Sequence, residues 1–152
     1  MIKKLLYTLC SIFFLGNIAT AQSTLTIGSG GFTTTSNAYG IMRTITTSNS
    51  WNRNAYIYPT SLVNTIPTNS TITSLDFYAS NASAASLPAG SNFKLYIKNT
   101  ISSDFGAASL DWTTEIATAT LVYDGDPATI IGSASGFKQF PFSSGFVYTG
   151  NG

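Results

Sequence analysis

Asn92-Phe93-Lys94-Leu95-Tyr96-Ile97-Lys98 is the stretch from which the rest of the chain is read. Phe93, Leu95 and Ile97 fall on one face of a period-two ribbon, and Lys94, Tyr96 and Lys98 on the other. Successive side chains of a strand point to opposite sides of a sheet, so this alternation predicts a half-buried antiparallel strand. Most other segments read as strands that could pack beside or across from it.

Working outward, Ile72 to Tyr78 reads as a strand with Leu75 and Phe77 inward and Asp76 outward. It is expected to pair antiparallel with the 92–98 strand across the small-residue loop from Ala79 to Ser91. Upstream, short strands are expected at Thr24 to Ile27, Tyr39 to Thr47 and Trp51 to Tyr58, the last ended by Pro59, which withholds a ladder donor. Ser61 to Asn64 suits a single helical turn, and Pro67-Thr68-Asn69-Ser70 a tight turn. Downstream, Thr100 to Asp111 reads as loop, with Phe105 and Leu110 as plugs. Trp112 opens an extended stretch that closes with Leu121, Val122 and Tyr123. Asp124-Gly125-Asp126-Pro127 is a turn signal. Gly136 to Phe140 and Phe142 to Tyr148 supply the last two strands, separated by Pro141. No amphipathic helix of useful length is legible after residue 22. Short strands with turn signals every ten or so residues predict an all-β antiparallel sandwich, jelly-roll-like rather than a barrel.

Composition agrees. Aromatic residues make up 13% of the 152 residues and charged residues only 9%, and the many β-branched residues favour sheet over helix. A net charge of +1 with no basic stripe argues against a nucleic-acid surface. Lys3 and Lys4, the apolar run from Leu5 to Ile18 and Ala19-Thr20-Ala21 have the form of a cleaved signal peptide spanning residues 1–21. That run is short and broken by Gly16 and Asn17, so no stable membrane span is expected after cleavage. Residues 22–152 would then form one module, secreted or on the outer cell surface, with five basic and six acidic residues.

The single cysteine, Cys10, lies in the leader, and the chain has no histidine. From Gln22 onward there is thus no material for a disulfide, a Cys/His zinc site or a Ser-His or Cys-His pair. The expectation is no enzymatic activity and no cofactor. Paired carboxylates are the enzymatic alternative: Asp111 and Glu115 flank Trp112, which could stack on a sugar, but no opposing carboxylate can be placed. Asp124 and Asp126, with Asp104, are weighed as calcium ligands against a plain Asp-Gly-Asp-Pro turn. Tyr39, Trp51, Tyr56, Tyr58 and Trp112 are candidate carbohydrate-stacking rings, against the plainer reading that they pack in the core or on a neighbouring domain.

Arg53-Asn54-Ala55-Tyr56-Ile57-Tyr58-Pro59, Ile72-Thr73-Ser74-Leu75-Asp76-Phe77, Asn92 to Lys98, Phe105, Trp112, Gly136-Phe137-Lys138-Gln139-Phe140 and Phe146-Val147-Tyr148-Thr149-Gly150 follow one another in a familiar order. The succession resembles the N-terminal β-sandwich module of large secreted and cell-surface proteins of Bacteroidetes, type IX secretion cargo that often carries fibronectin type III repeats. The resemblance covers most of the chain from about Tyr39. It implies adhesion, spacing or ligand binding, with extracellular glycans or surface proteins as partners and further domains downstream in the same polypeptide. The type IX sorting domain itself is not in the sequence. Asn151-Gly152, a hairpin signal, is expected to lead into a returning strand, so the module is read as incomplete at its C-terminal end. The runner-up is a carbohydrate-binding accessory module of an extracellular hydrolase.

Overall fold

The computed structural model describes residues 22–27, 53–79, 90–106 and 109–151. Within them lie four strands, β1 (Thr71–Ala79), β2 (Phe93–Ile97), β3 (Thr120–Gly125) and β4 (Gly136–Val147). Three short helices join them: α1 (Thr60–Val63), α2 (Trp112–Ala117) and α3 (Ala128–Ile131). The strands form two small antiparallel sheets, β1 with β4 and β2 with β3, and neither sheet is closed. The protein is therefore β-rich, as its composition predicts. No described helix is long and apolar enough to cross a membrane.

The alternation in β2 holds: Phe93, Leu95 and Ile97 are half-buried, while Lys94 and Tyr96 are exposed. In β1, Leu75 and Phe77 are half-buried and Asp76 exposed, as expected. The expected pairing of these two strands is wrong. β1 takes its partner from β4, through pairs such as Leu75↔Phe140 and Phe77↔Lys138, and β2 takes β3. Local alternation sets which face of a strand is apolar but not which strand lies beside it.

Two irregularities shape the core. Opposite Leu95 and Tyr96 stand Tyr123 and Leu121, which leaves Val122 as an extra residue on β3. A β-bulge of this kind turns consecutive side chains toward one side. Val122 is fully buried and its neighbour Tyr123 half-buried, whereas Leu121 is exposed. In β4 the expected break at Pro141 is present, but inside one strand. Ser74 pairs with Pro141 and Ile72 with Phe146, so residues 142–145 stand opposite Thr73 alone. Proline cannot donate to a ladder, and the freed segment swings toward the other sheet, where the Ser143 hydroxyl donates to the Val122 carbonyl (3.2 Å).

The sheets meet at Phe140, which is fully buried. Its ring lies 5.1 Å from Phe93 and 5.1 Å from Tyr123, the latter edge-on at 90°, and 5.7 Å from Phe77. These separations and tilts are the favourable ones for aromatic quadrupoles. A second tie comes from the Asn99 side chain, which donates to the Val147 carbonyl and accepts from the Thr149 N–H, both at 3.0 Å. It stands in for one rung of a ladder between the chain beyond β2 and the end of β4.

Other expectations fare unevenly. Pro67–Ser70 closes as a turn, with Ser70 N–H donating to the Pro67 carbonyl and Asn69 at φ 67°, which suits asparagine at the third position of a type II turn. The single turn near Ser61 is α1. Thr24 to Ile27 and the described part of the Trp51 to Tyr58 segment, both read as strands, join no sheet among the described residues, although exposure still alternates along 54–58. Phe105 is exposed rather than plugging the loop. Trp112 opens a helix, not an extended stretch. The Asp111 carboxylate accepts from the N–H groups of Thr113 and Thr114 and from the Thr114 hydroxyl, and this N-cap outweighs the strand preference of the threonines. The strand expected at Tyr39 to Thr47 and the signal peptide lie outside the described residues.

If Phe140 joins the sheets, Phe140→Ala should cost about 3–5 kcal/mol. Phe137→Ala, three residues away and 61% exposed, should cost far less. Urea unfolding measures both, and equal losses would remove Phe140 from its central place.

Candidate functional site

Away from Phe140 the inner faces do not close on one another. Residues 22–27 and 53–58, β1, β2 and the start of α2 border one open groove of about 1910 Å³. Its aromatic lining includes Tyr56, Tyr58, Tyr96, Trp112 and Tyr148. Tyr56 is 50% exposed, Tyr58 38% and Tyr96 38%, so their rings present flat surface to solvent. Two residues apart in extended chain, Tyr56 and Tyr58 share a side, with Cα atoms about 6–7 Å apart. Burial holds both phenols above their ordinary range, and Tyr56 reinforces this at Tyr58. Both hydroxyls are therefore neutral donors throughout the physiological range.

Trp112 is half-buried at the first position of α2. It borders the same groove as the two tyrosines, so three of the five rings chosen from sequence come together. Tyr39 and Trp51 lie outside the described residues. Sequence reading missed Tyr96, which stands on the outer, lysine-bearing face of β2. It also missed Tyr148, whose alternation with Phe146 was the available signal.

Tyr148 is 5% exposed, and its hydroxyl has no hydrogen-bond partner among the described residues. Its backbone is fully engaged: the carbonyl accepts from Asn69 N–H (2.7 Å) and the N–H donates to the Ser70 carbonyl (2.9 Å). A phenol hydroxyl buried without a partner costs about 1–3 kcal/mol.

The groove's charges balance. Arg53, Lys94 and Lys98 border it, as do Asp76, Asp104 and Glu115. Lys98 forms an ion pair with Glu115, and Lys94 with Asp124 at 3.1 Å. Asp124 also accepts from the Asn92 amide at 2.9 Å. Hydrogen bonds from Asn92 and Lys94 hold its carboxyl below the ordinary aspartate value, and the bond to Asp124 raises Lys94. Asp126 accepts from the N–H of Ala128 (2.9 Å), two residues on, and Asp104 accepts from Gly106 N–H (2.7 Å) in its own loop. The three candidate calcium ligands thus have separate local partners, and no group of three acids gathers among the described residues. Asp111 is held below its ordinary value by the Thr114 hydroxyl and the two N-cap N–H groups. A glycosidic general acid needs a carboxyl shifted the other way.

Comparison with known proteins found no matching family model, no matching curated protein and no matching solved structure.

Two outcomes follow from this geometry. Tyr148→Phe removes an unpaired hydroxyl and should leave stability unchanged or raise it by up to about 1 kcal/mol; a clear loss in urea unfolding would mean that the hydroxyl has a partner. Asp111, with its carboxyl depressed below 3.8, adds stability that is fully present above that value and is lost as pH falls through the lower folded value. Asp111→Ala should therefore lower the thermal midpoint at neutral pH, and its gap from the parent should close in strong acid. A gap independent of pH would argue against a charged cap.

Proposed function

We propose that the chain is a non-catalytic, jelly-roll-like β-sandwich module of a larger exported bacterial protein, secreted or held at the outer surface, and that it serves adhesion, spacing or ligand binding. The observation that carries this reading is the open aromatic groove, in which exposed tyrosines stand beside Lys98 and Glu115, paired with each other. The sandwich is favoured by the ring cluster through which one sheet meets the other. Export rests on Lys3, Lys4, the apolar run and Ala19-Thr20-Ala21. The non-catalytic character rests on a chain without histidine and without cysteine beyond Cys10. The likeness to type IX cargo modules adds the bacterial surface setting and downstream domains.

Tyr56, Tyr58 and Trp112 on one groove favour a second reading, a carbohydrate-binding accessory module of an extracellular hydrolase. The coding sequence that follows Gly152 separates the two: adhesive repeats support the first, a hydrolase domain the second.

Expressed with its leader in a Gram-negative host, the chain should mature to begin at Gln22 by N-terminal sequencing. The purified product should turn over no glycoside or ester substrate. Retention of residues 1–21 would remove the exported setting. Turnover abolished by Glu115→Gln would replace the module with an enzyme.

A further inference from the structure

We propose that the groove takes a neutral, polyhydroxylated ligand, a glycan chain without acidic sugars, and that Tyr148 supplies a buried hydroxyl contact to it. The inference rests on the ligand-binding reading above and names the ligand's chemistry. Three independent features lead to it. Flat rings of Tyr56 and Tyr58, 50% and 38% exposed, border one groove with Trp112. Such rings stack on the C–H faces of sugars while their hydroxyls reach sideways. Burial raises the Tyr56 and Tyr58 phenols, so these two donate to sugar oxygens and carry no charge.

The second feature is the charge balance. Among the described residues, three basic and three acidic side chains border the groove. Lys98 and Glu115 neutralise each other, and Lys94 is held by Asp124. An acidic polysaccharide would have to break these pairs and would meet no net positive field in return. A neutral chain disturbs none of them.

The third feature is the Tyr148 hydroxyl. It belongs to a groove residue 5% exposed and has no partner among the described residues. Buried polar groups in folded proteins are nearly always hydrogen-bonded, and each exception calls for a physical explanation. A ligand hydroxyl can donate and accept at once, so a sugar satisfies this orphan whichever way its proton points. A purely apolar occupant would leave it unpaired.

The test is affinity electrophoresis of the full chain through gels containing hydroxyethylcellulose, galactomannan or polygalacturonate, at low and high salt. At least one neutral polymer should retard the protein, and high salt should not relieve the retardation. Retardation should vanish in the double variant Tyr56→Ala/Tyr58→Ala, whose sites are exposed and whose folding is checked by its thermal midpoint. Tyr148→Phe should weaken binding roughly two- to tenfold, the loss of one hydrogen bond, with no fall in midpoint. Retardation by polygalacturonate alone would overturn the neutral-ligand inference while keeping the groove as a binding site. Retardation by none of the three would overturn the inference but leave an exported spacing or adhesive module standing. Neutral binding untouched by the tyrosine changes would place the site elsewhere and end the proposal.

Discussion

The contact of Phe140 with Phe93 and Tyr123 is the constraint on which the rest of the structure hangs. Among the described residues each sheet has two strands, and a two-stranded ribbon is at best marginally stable alone in water. Stability must come from apolar area shared between the ribbons. Phe140 supplies it from β4, at the position paired with Leu75 of β1, and Tyr123, beside the bulge in β3, meets it edge-on. Without the extra residue at Val122, Leu121 and Tyr123 would keep strict alternation and Val122 would face the other way.

The groove is the other side of the same arrangement. The sheets touch at the Phe140 end, through the rings and the Ser143–Val122 hydrogen bond. Farther along, Ile72, Leu95 and Ile97 are only half-buried. Side chains that cannot reach an opposite layer line an opening instead, and the opening is bordered by Tyr56, Tyr58 and Trp112. Ring exposure and charge pairing then give the opening its character: it is aromatic, Lys94 and Lys98 are each held by an acid, and Tyr148 borders it with a buried hydroxyl that has no partner among the described residues.

Several parts of this were legible in the residues. The faces of β1 and β2 were plain from period-two alternation, and the Pro67–Ser70 turn from its turn-forming residues. Helix α2 was hidden because Thr113, Thr114 and Thr118 suit strands, while the decisive group, the Asp111 carboxylate, acts on backbone N–H groups only once the turn exists. Partner choice was hidden for a different reason. Ladder hydrogen bonds are made by backbone that every residue shares, so β1 carries no local mark that selects β4 over β2. Of the candidate rings, Tyr56, Tyr58 and Trp112 were picked out because large aromatics among polar neighbours stand out in a sequence. Tyr148 was not, since nothing in Phe146-Val147-Tyr148 says that its hydroxyl lacks a partner.

Composition and alternation by themselves determined a β-rich chain, which residues of β1 and β2 face inward, and a chain from Gln22 without thiol or imidazole chemistry. These follow from side-chain identity and from the geometry of one extended strand. Tertiary structure alone decided which strands pair, that Val122 rather than Leu121 is buried, and that rings from distant segments share one groove. Those outcomes depend on how separate segments meet, through backbone hydrogen bonds and ring contacts between residues far apart in the chain.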